Sequence, residues 1–126
     1  MDEIIRVKGL TKNYGKFTAV KNISFNVNKG EIVGFVGKNG AGKSTTIRCM
    51  TNMLFPTEGD VVIKDLDSVK DAKKINKIVS YMPSENDLYE GVTAKEMFKM
   101  VLSFDGIKMS VAQELSQYFE LNMNKM

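Results

Sequence analysis

The segment Gly37-Lys38-Asn39-Gly40-Ala41-Gly42-Lys43-Ser44 follows directly on the apolar run Ile32-Val33-Gly34-Phe35-Val36. No other stretch constrains the fold as tightly, because this spacing of glycines ahead of Lys-Ser is that of a phosphate-binding loop. The apolar run predicts a buried strand that delivers the loop, and the residues after it predict a helix that begins beside it. A phosphate would then meet backbone N–H groups converging at a helix N-terminus. The fold class expected from this junction is α/β.

Each residue type in the loop has a physical task. Glycines at 37, 40 and 42 permit backbone conformations and close approaches that a Cβ forbids, so that successive N–H groups form a concave nest for an anion. Lys38, Asn39 and Ala41 contribute their amides to that nest. Lys43 is placed to reach the β and γ phosphates as a point charge, and the Ser44 hydroxyl stands where such loops ligate Mg²⁺. Thr45 adds a hydroxyl for the α phosphate. Beyond it, Ile47, Met50 and Leu54 recur at helical spacing, an apolar stripe for docking on a sheet.

At 126 residues the chain is long enough for one domain with a core, and no apolar run approaches the roughly 18 residues of a membrane span. Met1-Asp2-Glu3 is acidic where a secretory signal is basic, so a cytoplasmic location is expected. The single cysteine, Cys49, cannot form an internal disulfide and is expected as a buried thiol. Histidine is absent, which removes His-based metal sites, triads and proton relays. The net charge is +3, and Lys70, Lys73, Lys74 and Lys77 share one helical face opposite Val69, Ala72 and Ile75. That pattern reads as a solvated face, and no nucleic-acid partner is expected.

Residues 4–10 and 23–27 read as strands, the second placing Ile23, Phe25 and Val27 inward, with a turn at Asn13–Lys16 between them. The helix from Lys43 should end before Pro56-Thr57-Glu58-Gly59, followed by short strands at 61–63 and 78–82. Thr93-Ala94-Lys95-Glu96 and Ser110-Val111-Ala112-Gln113 both have capping-box spacing and predict a closing helical hairpin.

Laid out in order, these segments resemble the N-terminal half of the ATPase subunit of an ABC transporter. The resemblance runs over nearly the whole chain. It rests on Leu10-Thr11-Lys12-Asn13-Tyr14-Gly15, on Gly30 through Thr46 without a break, on Pro56-Thr57-Glu58-Gly59, on Tyr81-Met82-Pro83, and on Leu88-Tyr89 and Val92-Thr93 ahead of Glu96. It implies a P-loop NTPase fold with an N-terminal β-subdomain, part of a parallel core sheet and the start of a helical subdomain. Residues 1–82 would be the β-subdomain and phosphate-loop core, and 83–126 the Q-loop region and helical subdomain.

The resemblance also implies ATP and Mg²⁺ as ligands, a transmembrane transporter subunit as partner, and a second ATPase subunit in a homodimer or heterodimer. Peripheral attachment to the cytoplasmic face of a membrane would follow. Tyr14 matches the family's adenine-stacking aromatic, and Val20 would pack near the sugar or base. Where members carry a Gln that touches the metal and the attacking water, this chain has Ser84, with Glu85 next. The Tyr81–Tyr89 segment is most similar to ATPases of small bacterial exporters. In the family the strands beside the phosphate-loop strand come largely from the later half, so the resemblance implies that Ile32–Val36 lacks neighbours here and exposes its edges. The 126 residues hold no Leu-Ser-Gly-Gly-Gln, no apolar strand ending in Asp-Glu and no switch His. ATP binding without turnover is therefore expected of this chain, and full-length relatives would hydrolyse. A non-hydrolytic nucleotide- or partner-binding module that oligomerises is the alternative. The guanine motif Asn-Lys-x-Asp of GTPases does not occur, since Asn28-Lys29 continues as Gly30-Glu31.

Overall fold

Alternation of apolar and polar residues builds the first hairpin, in which β1 (Glu3–Tyr14) and β2 (Phe17–Asn28) pair antiparallel across the turn Gly15-Lys16. The computed structural model describes residues 2–84 and 90–125. Both strands run further than their apolar cores suggested, right up to the turn, with Tyr14 paired to Phe17. Val27 is buried and Ile23 and Phe25 half-buried, while Ser24 and Asn26 face solvent, as their alternation required.

The alternation in β1 breaks at Gly9. A bulge there shifts the register against both neighbours, so that Val7 and Leu10, three residues apart, both enter the core. Gly59 of β3 (Glu58–Ile63) crosses this bulge so closely that a Cβ on it would lie 2.4 Å from the Gly9 carbonyl oxygen, and its φ is +85°. Only glycine fits both demands. With β4 (Leu66–Asp67) the sheet has the order β2-β1-β3-β4, and every ladder is antiparallel.

Helix α1 (Lys43–Met50) lays Cys49 and Met50 on this sheet, and α2 (Ala72–Ile75) adds Ile75. They join Val7, Leu10, Val20, Val61 and Ile63 in one core, with Ile47 and Leu54 packed against it. Cys49 is free and fully buried, and burial pushes its thiol above the ordinary range. Lys70, Lys73, Lys74 and Lys77 are all exposed, although only four residues of their segment are helical.

Two expected strands do not form. Residues 32–36 and 78–82 join no ladder among the described residues, so the expected parallel core sheet is absent from this structure. Ile32 and Val36 are 101% and 99% exposed. The reason is pairing rather than propensity: a parallel strand needs hydrogen-bonded neighbours brought in by crossovers, and these residues have none. Phe35 is held edge-to-face on Phe25 at 5.3 Å between ring centroids, and Val79 packs against the core.

The chain divides into two compact units, Met1–Met82 and Pro83–Met126. In the second, α3 (Ala94–Asp105) and α4 (Met109–Tyr118) form a helical pair. Thr93 and Glu96 complete the capping box of α3: the Glu96 N–H donates to Thr93 Oγ1, and the Thr93 N–H donates to Glu96 Oε2 at 2.9 Å. The Ala94 and Lys95 N–H groups donate to the carbonyls of Lys125 and Met123, so the first-turn amides of α3 are satisfied. The second expected box does not form. Helix α4 begins two residues earlier, with Lys108 as N-cap and Ser110 already inside, and it buries Ala112 and Ser116 while Leu115 and Tyr118 are exposed. No helix among the described residues is long and apolar enough to cross a membrane.

Hydrogen bonds from Thr93 hold the Glu96 carboxyl below the usual carboxylate range. Its stabilising contribution is present above the unfolded-state pKa and is lost as pH falls through the depressed folded-state value. Thr93→Ala should cost about 1 kcal/mol of α3 stability. Glu96→Gln should flatten the acid limb of helix loss in far-ultraviolet circular dichroism. An unchanged acid limb in Glu96→Gln would mean that the box does not set it.

Candidate functional site

The exit of β2 is fixed before the loop begins. Asn28 donates from its backbone N–H to Glu31 Oε2 at 2.6 Å and from its side-chain amide to Oε1 at 3.0 Å, closing the turn around Gly30. These bonds hold the Glu31 carboxyl below its usual range. From there the chain runs without helix or ladder to Gly37 and folds into the loop.

The loop is knit by its own polar groups. The Ala41 N–H donates to the Lys38 carbonyl at 3.1 Å, and Lys43 Nζ donates to the carbonyls of Gly37 and Lys38 at 2.6 and 2.7 Å. These bonds curl the lysine back over the loop and hold its cation beside the amides. Gly40 and Gly42 take φ of +83° and +91°. Gly42 is also the N-cap of α1 and packs on the hairpin, where a Cβ would lie 2.4 Å from the Ala19 carbonyl oxygen and 2.9 Å from Val20 Cγ2. Gly37 has a different constraint, since its Cβ position lies 3.2 Å from the Ala41 Cβ. Below the nest, the buried Thr46 bonds from its hydroxyl to the Gly42 carbonyl at 2.9 Å.

This contact between loop and hairpin forms a cleft of about 420 Å³, lined by Tyr14, Phe17, Ala19, and Asn39 through Thr45. Its size is that of a small-molecule site. The Tyr14 ring is about half exposed and carries the Lys12 ammonium on one face, 5.2 Å from its centroid. Ser44 presents an exposed hydroxyl beside Lys43 in the first turn of α1. Among the described residues no cluster of three or more His, Cys, Asp or Glu is arranged to hold a metal.

Of the residues singled out from sequence, Tyr14, Asn39, Gly40, Ala41, Gly42, Lys43, Ser44 and Thr45 come together in the cleft. Gly37 and Lys38 stand at its entry and hold the Lys43 amine. Val20 does not line it. The side chain is 5% exposed in the core, beneath Gly42, and Ala19 reaches the cleft instead. Strand alternation puts the two side chains on opposite faces, and Val20 lines an adjoining hollow with Gly42, Lys43 and Thr46. Ser84 is exposed and lies in the second unit, and Glu85 lies outside the described residues. Phe17, which no motif marks, is the cleft's second aromatic.

Residues 20–126 match the family described as ABC transporter. The probable multidrug ABC transporter ATP-binding protein YbhF of Escherichia coli is 34% identical over 107 residues, which cover 85% of this chain and 18% of that protein. Among solved structures, an ATP-binding subunit of an ABC transporter superposes with a TM-score of 0.81 at 26% identity, over 98% of this chain and 54% of its own. A dimeric bacterial ABC transporter cassette gives 0.69 at 31% identity, over 80% of this chain and 47% of its own. The chain thus spans about half the length of these solved relatives.

Gly42→Ala should combine positive-φ strain with a collision against Ala19, lowering stability by about 1–3 kcal/mol and abolishing tripolyphosphate binding. Gly34→Ala, in the segment entering the loop but with open space at its Cβ position, should preserve both. Thermal unfolding and calorimetric titration read the two effects, and wild-type-like behaviour of Gly42→Ala would contradict the packing described.

Proposed function

Because this chain belongs to the ABC transporter ATP-binding family, whose members bind ATP, we propose that its cleft holds Mg-ATP. In this reading the chain is the ATP-binding part of an ATPase that couples hydrolysis to transport across a membrane. The observation that carries it is the cleft itself, where an exposed aromatic pair faces a glycine-built nest of amides with a lysine over it. Polyphosphate charge meets the nest, Lys43 and the start of α1, and Tyr14 offers its ring to the adenine. Thr45, also in the lining, is available to the α phosphate.

Magnesium fits the residues present. The Ser44 hydroxyl is a hard oxygen donor in the cleft, and Mg²⁺ in nucleotide sites takes few protein ligands, with phosphates and waters filling the rest. When bound, the ion neutralises charge on the phosphates. The chain's own residues do the positioning: the loop amides orient the phosphates, Lys43 adds a fixed cation, and the hairpin tip orients the base.

Residues 1–82 would act as the β-subdomain and phosphate-loop core, and 83–126 as the Q-loop region and helical subdomain, with Ser84 or Glu85 in place of the usual Gln. Exposed Val101, Phe104, Tyr118 and Phe119 on the second unit offer apolar surface to a transmembrane subunit. The dimeric relative supports a second ATPase subunit as partner, and attachment to the cytoplasmic membrane face would come through these contacts.

A second reading, binding without turnover, is favoured by one observation: among the described residues, none that line the cleft carries a carboxylate. Phosphoryl transfer relies on charge stabilisation and a positioned water, so these residues alone should bind far better than they hydrolyse.

Calorimetric titration of Mg-ATP into the 126-residue chain should show one site, weakened roughly 10- to 100-fold in Lys43→Ala, as expected for a lost charged hydrogen bond. Phosphate release should stay at background. A folded chain that binds Mg-ATP equally well with and without the Lys43 amine would overturn the proposed site.

A further inference from the structure

Tyr14 and Phe17 flank the Gly15-Lys16 turn and are directly opposed in the β1–β2 ladder. Opposed residues of an antiparallel pair project from one face of the sheet, with Cβ atoms roughly 5 Å apart. Both side chains line the cleft that contains Asn39 through Thr45. Tyr14 is 47% exposed and Phe17 63%, and neither belongs to the hydrophobic core or its packed rim.

Core packing therefore does not account for a phenylalanine at this hairpin tip. One face of the Tyr14 ring already carries the Lys12 ammonium, which leaves that ring a single open face. A flat base entering the cleft has two apolar faces and an edge to shield from water, more than one open ring face covers. Phe17 is the other large apolar surface in the lining.

We infer that Phe17 is a second aromatic contact for the base of the bound nucleotide, acting with Tyr14 at the hairpin tip while the loop before α1 holds the phosphates. The inference rests on the reading of the cleft as a nucleotide site. Phenylalanine has no hydrogen-bonding group, so its contribution is stacking and apolar contact, directed at the base and not at the phosphates. That division makes it separable from the role of Lys43.

The test titrates Mg-ATP and magnesium tripolyphosphate into the 126-residue chain as wild type, Phe17→Ala, Phe17→Leu and Phe17→Tyr, with circular dichroism to confirm folding. Phe17→Ala should weaken Mg-ATP roughly tenfold, the scale of a lost base–aromatic stack, and leave tripolyphosphate unchanged. Phe17→Tyr should retain wild-type affinity for both, and Phe17→Leu should fall between and carry the comparison if the alanine variant does not fold. Unchanged Mg-ATP affinity in a folded Phe17→Ala or Phe17→Leu would overturn the inference and leave the nucleotide site standing. Equal weakening of both ligands would also overturn it, since a ring that merely supports the hairpin moves both. Wild-type chain that binds neither ligand would overturn the nucleotide reading itself, and the inference with it.

Discussion

The approach of Gly42 to the Ala19 carbonyl is the constraint on which the rest of the site depends. A glycine at the N-cap of α1 lets the helix start against the β1–β2 hairpin instead of a side chain's width away. The same contact brings the loop amides opposite Tyr14 and Phe17, and it seals Val20 into the core beneath the helix. A single missing Cβ thus joins two elements that local sequence would place independently. The positive φ of Gly42 and its crowding are separate demands that coincide at one residue, and no other amino acid meets both.

What the sequence made legible was the chemistry closed within a few residues. The glycine loop, the alternation of β2 and the Thr93–Glu96 capping box each state their geometry through their own residue types, and the structure shows the loop residues lining one cleft, the alternation and the box. What was not legible depended on distant partners. Ile32–Val36 has every propensity of a strand, yet strand formation requires a neighbour about 4.8 Å away and the described residues bring none. Its own residues do not say so, and only the family resemblance implied that its neighbours would be missing. Ser110 has the spacing of a cap, but α4 starts at Met109, so spacing alone did not fix where the helix begins. The site shows the same division. Its phosphate side was readable, whereas the choice of Ala19 over Val20 follows from how the hairpin sits against the loop. Phe17 carried one available signal, its place two residues beyond Tyr14-Gly15 at the mouth of a tight turn, which makes it the cross-strand partner of Tyr14.

In the proposed site, phosphate binding would call on no charged side chain beyond one lysine. The nest is electrically positive because backbone dipoles converge there, and such dipoles are fixed by the fold rather than by titration. Lys43 is held by two carbonyl oxygens at the loop entry, so its position is set before any anion meets it. Preorganisation of this kind lowers the ordering cost of binding. It does not by itself activate a water, and the described residues that line the cleft offer amides, hydroxyls, an ammonium and aromatic rings but no carboxylate. Binding and turnover are thus separable properties, resting on different residues.

The segment that delivers the loop has the least support of any part of the site. On its exit side the loop is anchored by α1, by the Thr46 bonds to Gly42 and by the hairpin; on its entry side Ile32 and Val36 stand in solvent without ladder bonds. Order in the entry comes from two local devices, the Asn28–Glu31 turn and the edge-to-face pair of Phe35 on Phe25. Unpaired apolar backbone of this kind is a template for strand addition. Any strand that paired there would stabilise the loop's entry directly, because Val36 is covalently next to Gly37, whose carbonyl holds the lysine. Anything that binds only the ordered loop would, by the same linkage, favour the paired strand. In the proposed site, sheet completion and phosphate binding would therefore be coupled through one peptide bond, in both directions.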